Sequence, residues 1–210
     1  MNIEKIYETL DLIAEKPHLN MSDINMLLEI SEISDSEVRA YVAELLVAAY
    51  GEEAEKKLIN MCNDADEMVR TNACDSLSAF PTIESYNQLV KCVLNDKSSV
   101  VKTYAILSLA DIITQMRIDE KELKGLFAKF SRDKKVSISA ACFRGLYILG
   151  EKKYLKKLIE LLSTENYQDR CMIANILGGV LNDENKNYII FELEKIKETE
   201  KSEAVRSTID

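Results

Sequence analysis

Glycine and proline are scarce in this chain of 210 residues, which contains 6 Gly and 2 Pro. Antiparallel sandwiches and barrels need many tight turns and use far more of both residues, so the composition excludes them. Tryptophan is absent, His18 is the single histidine, and no run of 18 apolar residues is present to span a membrane. The 47% of hydrophobic and 30% of charged residues are nevertheless typical of a chain with a folded core.

The net charge of −9 is unevenly distributed along the chain. Residues 1–100 carry a net charge of −11, residues 101–157 carry +7, and the remaining residues carry −5. An acidic first half opposes binding to nucleic acid and favours a basic protein partner. The basic middle is the segment that would attract an acidic partner.

The cysteine pattern favours reduced thiols and a cytoplasmic location. The odd number of cysteines includes no CxxC pair, and the acidic, amphipathic first helix does not resemble a signal peptide. Most of the cysteines fall on apolar helix faces, so we expect them to pack in the core and we predict no metal site and no cofactor. Cys171 is the exception, because its position favours a partly open surface. The five cysteines are Cys62, Cys74, Cys92, Cys142 and Cys171.

A repeat appears when the sequence is aligned on a Val-Arg pair. Val69 is followed by Ala73 and Leu77 at offsets of four and eight residues, and other copies show the same offsets. Successive copies are 31 to 37 residues apart, the length of two helices and two short turns. We call the position that the valine of this pair occupies the anchor of each copy. The anchors are Val38, Val69, Val101, Ile138, Asp169 and Val205.

Apolar residues at three- and four-residue spacing predict a helix before and a helix after each anchor. Asp35, Asp66, Ser98 and Ser22 stand near helix starts, where their side chains can accept bonds from free backbone N–H groups. The predicted first helices cover roughly 22–32, 52–63, 82–95, 119–131, 151–163 and 185–198. The predicted second helices cover roughly 36–49, 67–79, 98–115, 135–149, 167–181 and 203–210, and an unpaired helix at about 2–15 precedes them.

The pattern D-x-x-V-R-x-x-A-x-x-x-L resembles the HEAT repeat of the short bacterial kind. The resemblance covers residues 22–210 in five full copies and one partial copy, and Ser139 and Asp169 depart from the pattern. It implies an all-α fold, a right-handed armadillo/HEAT-type solenoid of about five helix pairs. Residues 1–20 would form a capping helix within a single domain of residues 1–210, with second helices on the concave face.

A basic residue follows most anchors, and this recurrence has two interpretations. Arginines or a lysine at this position could pair with acids and tie adjacent repeats together. Alternatively, they could form a stripe that binds anions. The residues are Arg39, Arg70, Lys102, Arg170 and Arg206.

No catalytic motif is present: GxGxxG, GxxxxGK[ST], HExxH and GxSxG are all absent. His18 lies in a predicted turn without a nearby nucleophile in sequence, so we assign no catalytic residue. Two enzyme families resemble this helical stack, the DNA-alkylation glycosylases and the bilin lyases. The missing tryptophan and the acidic charge oppose the first, and no residue is specific to the second.

The predicted concave face combines acids and tyrosines at one end with basic and apolar residues at the other. Tyrosine and arginine are common interface anchors, although an ordinary solvated face has the same composition. The candidate partner-binding residues are Tyr41, Glu44, Asn72, Asp75, Tyr104, Asp111, Arg144, Tyr147 and Asn175.

A cluster of lysines in the basic middle also has two interpretations. Lys152, Lys153, Lys156 and Lys157 share one helix face, which could be solvated or could bind an acidic partner or a nucleic-acid backbone.

Two functions therefore remain as hypotheses. The first is a non-catalytic module that binds a basic protein or peptide, including an immunity protein or antitoxin that neutralises a basic toxin. The alternative is a HEAT-like nucleic-acid-binding protein or enzyme.

Overall fold

The computed structural model describes residues 2–116 and 119–209, and these residues form thirteen α-helices and no β-strand. Short 3₁₀ turns at Leu46–Ala48, Leu77–Ala79 and Leu161–Ser163 extend three of the helices. The helices are α1 (Ile3–Ala14), α2 (Met21–Ile30), α3 (Ser36–Leu45), α4 (Glu52–Met61), α5 (Glu67–Ser76), α6 (Ile83–Asn95), α7 (Ser99–Ile113), α8 (Glu120–Phe130), α9 (Val136–Ile148), α10 (Lys153–Glu160), α11 (Tyr167–Gly178), α12 (Lys186–Thr199) and α13 (Glu203–Ile209).

Every predicted helix is present, with ends that differ by a few residues. Asp35, Asp66 and Ser98 are N-caps whose side chains accept bonds from the following backbone N–H groups. The prediction for Ser22 is wrong, because Asn20 is the N-cap of α2 and forms a capping box with Asp23. Asp210, the last residue of the predicted final helix, lies outside the described residues.

The chain contains two compact units, Met1–Arg117 and Ile118–Asp210. We call them unit 1 and unit 2. That they form one domain, and that the superhelix is right-handed, stay predictions.

In unit 1 the second helices lie side by side. Helix α3 packs against α1 and α5, and α5 packs against α7, while α2, α4 and α6 each contact the second helix of the same pair. Val38, Val69 and Val101 are fully buried at the start of these second helices. The positions four and eight residues after each anchor are also fully buried, so the repeat forms a continuous apolar core.

In unit 2 helix α9 packs against α8, α10 and α11, and α11 packs against α13. Ile138 and Val205 are buried anchors, whereas Asp169 is only half-buried. The acid in the fifth copy is therefore tolerated because that anchor is not fully enclosed.

Gly145 allows a close approach between α9 and α8, because a Cβ atom at this position would lie 2.4 Å from Cε2 of Phe127.

No described helix combines the length and the apolar character that are needed to cross a membrane.

Candidate functional site

Three second helices of unit 1 carry an acid on the face that the offsets from the anchors assigned to the concave side, and a hydrogen bond from Tyr41 adds an acid of α1. The side chains are Asp11 on α1, Glu44 on α3, Asp75 on α5 and Asp111 on α7. We call these four residues the acidic face. A side-chain hydrogen bond joins two neighbouring helices on this face, because Asn72 of α5 donates to the Ala40 carbonyl of α3 at 2.9 Å. The acids thus occupy a surface that the helix packing holds in place.

Asp75 interacts electrostatically with two other members of the acidic face, Glu44 and Asp111. Desolvation between the packed helices, together with the negative charges of Asp111 and Glu44, raises the pKa of Asp75 above its ordinary value. The charged form of Asp75 is therefore disfavoured in the isolated fold, and a cation brought to this face would relieve the repulsion.

Two tyrosines flank the acids. Tyr41 donates its hydroxyl proton to Asp11 Oδ1 at 2.9 Å, and Tyr104 is 36% exposed. Burial, followed by the charge of Asp75, raises the pKa of Tyr104. The face therefore combines amphipathic rings with carboxylates, which is a composition that suits a basic peptide segment.

The predicted face residues of unit 2 have different surroundings. Arg144 is half-buried and Asn175 is exposed. Tyr147 accepts a hydrogen bond from Asn185 Nδ2 at 2.9 Å and lines a cavity of about 370 Å³ together with Gly150 and Asn182. Cys171 is half-buried, as its position in the sequence suggested. Tyr147 thus contacts the turn before α12, a placement that its offset from the anchor did not predict.

The residues that follow the anchors tie neighbouring repeats together in three places. Arg39 binds Asp64 of the next repeat through Nε at 2.8 Å and Nη2 at 2.9 Å. Its Nη1 also donates to the carbonyls of Ile33 and Ser34 in the turn before α3. We call these contacts the arginine bridges, and the pairs are Arg39–Asp64, Arg70–Asp96 and Arg170–Glu200.

The arginine bridges repeat the same hydrogen bonds, so the interpretation as ties between repeats is confirmed for these three. In each bridge the acid also accepts a bond from a backbone N–H two residues later, as in Asp66 N to Asp64 Oδ1 at 2.9 Å. Where Ser139 replaces the arginine, its hydroxyl donates to the Asp133 carbonyl at 3.1 Å. The serine thus keeps the bond within its own repeat.

The arginine bridges predict a specific dependence of stability on pH. A hydrogen bond from Arg170, supported by the backbone N–H of Ser202, lowers the pKa of Glu200 from 4.5 to about 2. The folded-state pKa is depressed, so this stabilisation is present above about pH 4.5 and is lost as the pH falls towards about 2. The difference in unfolding free energy between the protein and Glu200→Gln should therefore shrink over this range. Urea denaturation at a series of pH values measures it, and a constant difference would contradict the assignment.

The lysine cluster is paired with neighbouring groups. Lys152 lies 3.1 Å from Glu184, Lys153 lies 3.1 Å from Glu151, and the ammonium of Lys157 lies 5.1 Å from the ring centroid of Tyr154. These contacts support the interpretation as a solvated face. His18 is exposed in the turn between α1 and α2.

Three of the five cysteines converge, which the sequence analysis did not foresee. Cys62, Cys74 and Cys92 are buried as predicted, but their sulfur atoms all lie within 4.8 Å of one another. The neighbouring thiols favour the thiolate at Cys92, whose pKa is lowered, and disfavour it at Cys74, whose pKa is raised. The spacing of 12 and 18 residues resembles no metal motif, so only the helix packing reveals this cluster.

A family model described as HEAT repeats matches residues 24–110. Residues 24–110 contain HEAT repeats. The matched segment contains α3, α5 and most of α7, and therefore two of the four residues of the acidic face, Glu44 and Asp75. No sequence among curated proteins matches the chain.

Two solved structures have a similar fold. The complex of CpcE and CpcF of phycocyanin lyase from Nostoc has a TM-score of 0.66 at 16% identity, over 98% of this chain and 86% of that chain. The YibA protein of Escherichia coli has a TM-score of 0.58 at 21% identity, over 100% of this chain and 74% of that chain. These similarities extend the helical-repeat fold beyond the matched HEAT segment. They identify the fold of a repeat scaffold, and activity is a separate question.

Proposed function

We propose that this HEAT-repeat protein is a non-catalytic interaction module that binds a basic segment of a protein partner on the acidic face. The observation that carries the proposal is the placement of two exposed acids, Glu44 and Asp75, on the packed neighbouring helices α3 and α5. Like charges held together destabilise a fold unless a partner neutralises them, and such sites occur where proteins bind. Tyr41 and Tyr104 would supply apolar contact area beside the charges.

A more specific form of the proposal is an immunity protein that neutralises a basic toxin in the cytoplasm. Electrostatic complementarity accelerates association and suppresses wrong partners, which is what such a protein requires. Its support is the net charge of −9 in a chain of 210 residues. The enzyme alternative, a lyase-like activity, has the shared fold as its support.

The test compares two variants of equal net charge. Glu44→Gln with Asp75→Asn removes two charges from the acidic face, and Glu53→Gln with Glu84→Gln removes two exposed charges from the first helices α4 and α6. The probe is a labelled lysine-rich peptide that contains tyrosine. Its binding is measured by fluorescence anisotropy at low and at moderate salt. We expect the acidic-face variant to bind about tenfold more weakly, a loss of about 1.4 kcal/mol, and the control to bind about as well as the parent protein.

Stability separates lost binding from lost folding. Because the pKa of Asp75 is raised in the folded state, the carboxylate opposes folding at neutral pH, and Asp75→Asn should not lower the unfolding free energy. Equal losses of affinity in both variants would overturn the proposal, as would binding that salt does not weaken. An affinity capture with both variants then identifies the natural partner as the protein retained by the parent and the control but not by the acidic-face variant.

A further inference from the structure

The sulfur atoms of Cys62, Cys74 and Cys92 form a triangle at the meeting point of three helices. Cys62 is the C-cap of α4, Cys74 lies within α5, and Cys92 lies within α6. The Cys62 and Cys74 sulfurs are 3.8 Å apart, and all three lie within 4.8 Å of one another. Gln88 Nε2 lies 3.6 Å from the Cys92 sulfur. Three soft ligands from three separate helices thus share one site.

Repeat packing does not require cysteine at these positions. Counted from the anchors, the equivalent residues around the Arg39–Asp64 bridge are Ser31, Ala43 and Asn60. Around the Arg170–Glu200 bridge they are Leu162, Ala174 and Ile196. The same fold is therefore built with small, polar or aliphatic side chains, and the cysteine cluster is specific to one repeat.

A cavity of about 210 Å³ gives access to the cluster. Cys62 and Cys92 line it together with Gln88, and its charged lining consists of Arg70, Lys91 and Asp96. Comparable cavities lie beside the other two arginine bridges, but those contain no cysteine. The charged groups of this cavity sum to one positive charge.

We propose that Cys62, Cys74 and Cys92 bind one Zn²⁺ ion as three thiolates, with the fourth position open to the cavity. Tetrahedral zinc with Zn–S bonds of about 2.3 Å places its sulfurs about 3.8 Å apart, which is the separation of Cys62 and Cys74. Zn²⁺ with three thiolates keeps one negative charge, which matches the cavity, whereas Cu⁺ would leave two. Gln88 donates to a ligand sulfur from outside the coordination shell.

Zinc bound here would connect α4, α5 and α6, and therefore the second and third helix pairs of unit 1. Binding requires the three thiols to lose their protons to solvent, so zinc affinity should increase with pH. A metal that binds only the folded chain also stabilises it by mass action. The site is distinct from the acidic face, and its failure would leave the proposed function untouched.

The test uses the full chain, reduced and stripped of metal under anaerobic conditions, and then titrated with Zn²⁺ against a chromophoric chelator. The variant is Cys74→Ala, because alanine occupies the equivalent positions Ala43 and Ala174, so the fold should tolerate it. The matched control is Cys142→Ser, since Cys142 is also buried but lies in unit 2. Cobalt substitution supplies a second readout, because thiolate ligands give Co²⁺ an intense near-ultraviolet charge-transfer band.

We expect the parent protein and Cys142→Ser to bind one equivalent of zinc, to melt at a higher temperature with it, and to show the cobalt band. We expect Cys74→Ala to bind zinc at least about 100-fold more weakly, to lose the band, and to melt independently of zinc. The absence of zinc binding by the reduced parent protein would overturn the proposal. Unchanged binding and an unchanged cobalt band in Cys74→Ala would overturn it as well.

Discussion

Replacement of Arg70 by alanine is expected to lower the free energy of unfolding by about 3–5 kcal/mol. The side chain of Arg70 is 8% exposed, and its guanidinium binds Asp96 through Nε at 2.8 Å. It also donates to the carbonyls of Asp64 and Ala65 at 3.0 and 3.1 Å. The substitution leaves a buried carboxylate and two carbonyls without their donor, and buried groups without partners are costly.

Arg206→Ala is the matched control for this prediction. Arg206 follows the last anchor in the same way, but its side chain is exposed on α13. Its replacement should change the free energy of unfolding by no more than about 0.5 kcal/mol. Urea denaturation followed by circular dichroism measures both variants. If Arg70→Ala does not fold, Arg70→Lys, which keeps the charge but loses the paired geometry, should show a smaller loss. Equal effects of Arg70→Ala and Arg206→Ala would contradict the role of the bridge.

Gly145→Ala is expected to destabilise the protein by about 1–3 kcal/mol, although alanine is the better helix former. The new Cβ would lie 2.4 Å from Cε2 and 2.6 Å from Cδ2 of Phe127. Phe127 is fully buried between α8 and α9, so its ring cannot turn away without disturbing neighbouring core side chains. Overpacking therefore outweighs the gain in helix propensity.

Gly125→Ala tests the same substitution without the clash. Gly125 lies within α8, and no atom is within 4 Å of a Cβ built there, so this variant should gain about 0.5–1 kcal/mol. The smaller side chain of Phe127→Leu should make the cost of Gly145→Ala smaller, which a double-mutant cycle measures as a coupling energy. A Gly145→Ala variant that is as stable as Gly125→Ala would disprove the close approach.

The effect of these variants depends on which interactions are repeated and which are local. Arg39 and Arg170 form the same bridge as Arg70. Their replacement should therefore also lower the free energy of unfolding, and by less where the arginine side chain is more exposed. Gly145 has no counterpart in the neighbouring repeats, because the positions seven residues after Val101 and Asp169 are Ser108 and Ile176. The clash is therefore a property of one pair of helices.

Much of the fold could be read from the sequence because a helix pair has a characteristic period. Val38, Val69 and Val101 are fully buried, as the repeat predicted, since an apolar residue at the start of each second helix must face its neighbours. The N-caps Asp35 and Asp66 were equally predictable, because capping is a local interaction. Ser22 was misassigned because α2 begins at Met21, before Ser22, and Asn20 is its N-cap in a capping box with Asp23.

The candidate site was predictable only in part. The sequence placed Glu44, Asp75 and Tyr104 on second helices, because their offsets from the anchors fix the helix face that they occupy. It did not place Asp11 with them, since α1 has no anchor and its contact with Tyr41 joins residues 30 positions apart.

By itself, the sequence determined which residues form helices, which of them are buried, and where the charges are concentrated, because these properties depend on spacing within a few turns. Only the tertiary structure decided which distant groups meet. It joined Arg70 to Asp96 across 26 residues, set Gly145 against Phe127, and brought Cys62 and Cys74 together with Cys92. The physical reason is that such contacts depend on the angle and distance at which whole helices pack, and no local pattern of residues contains that information.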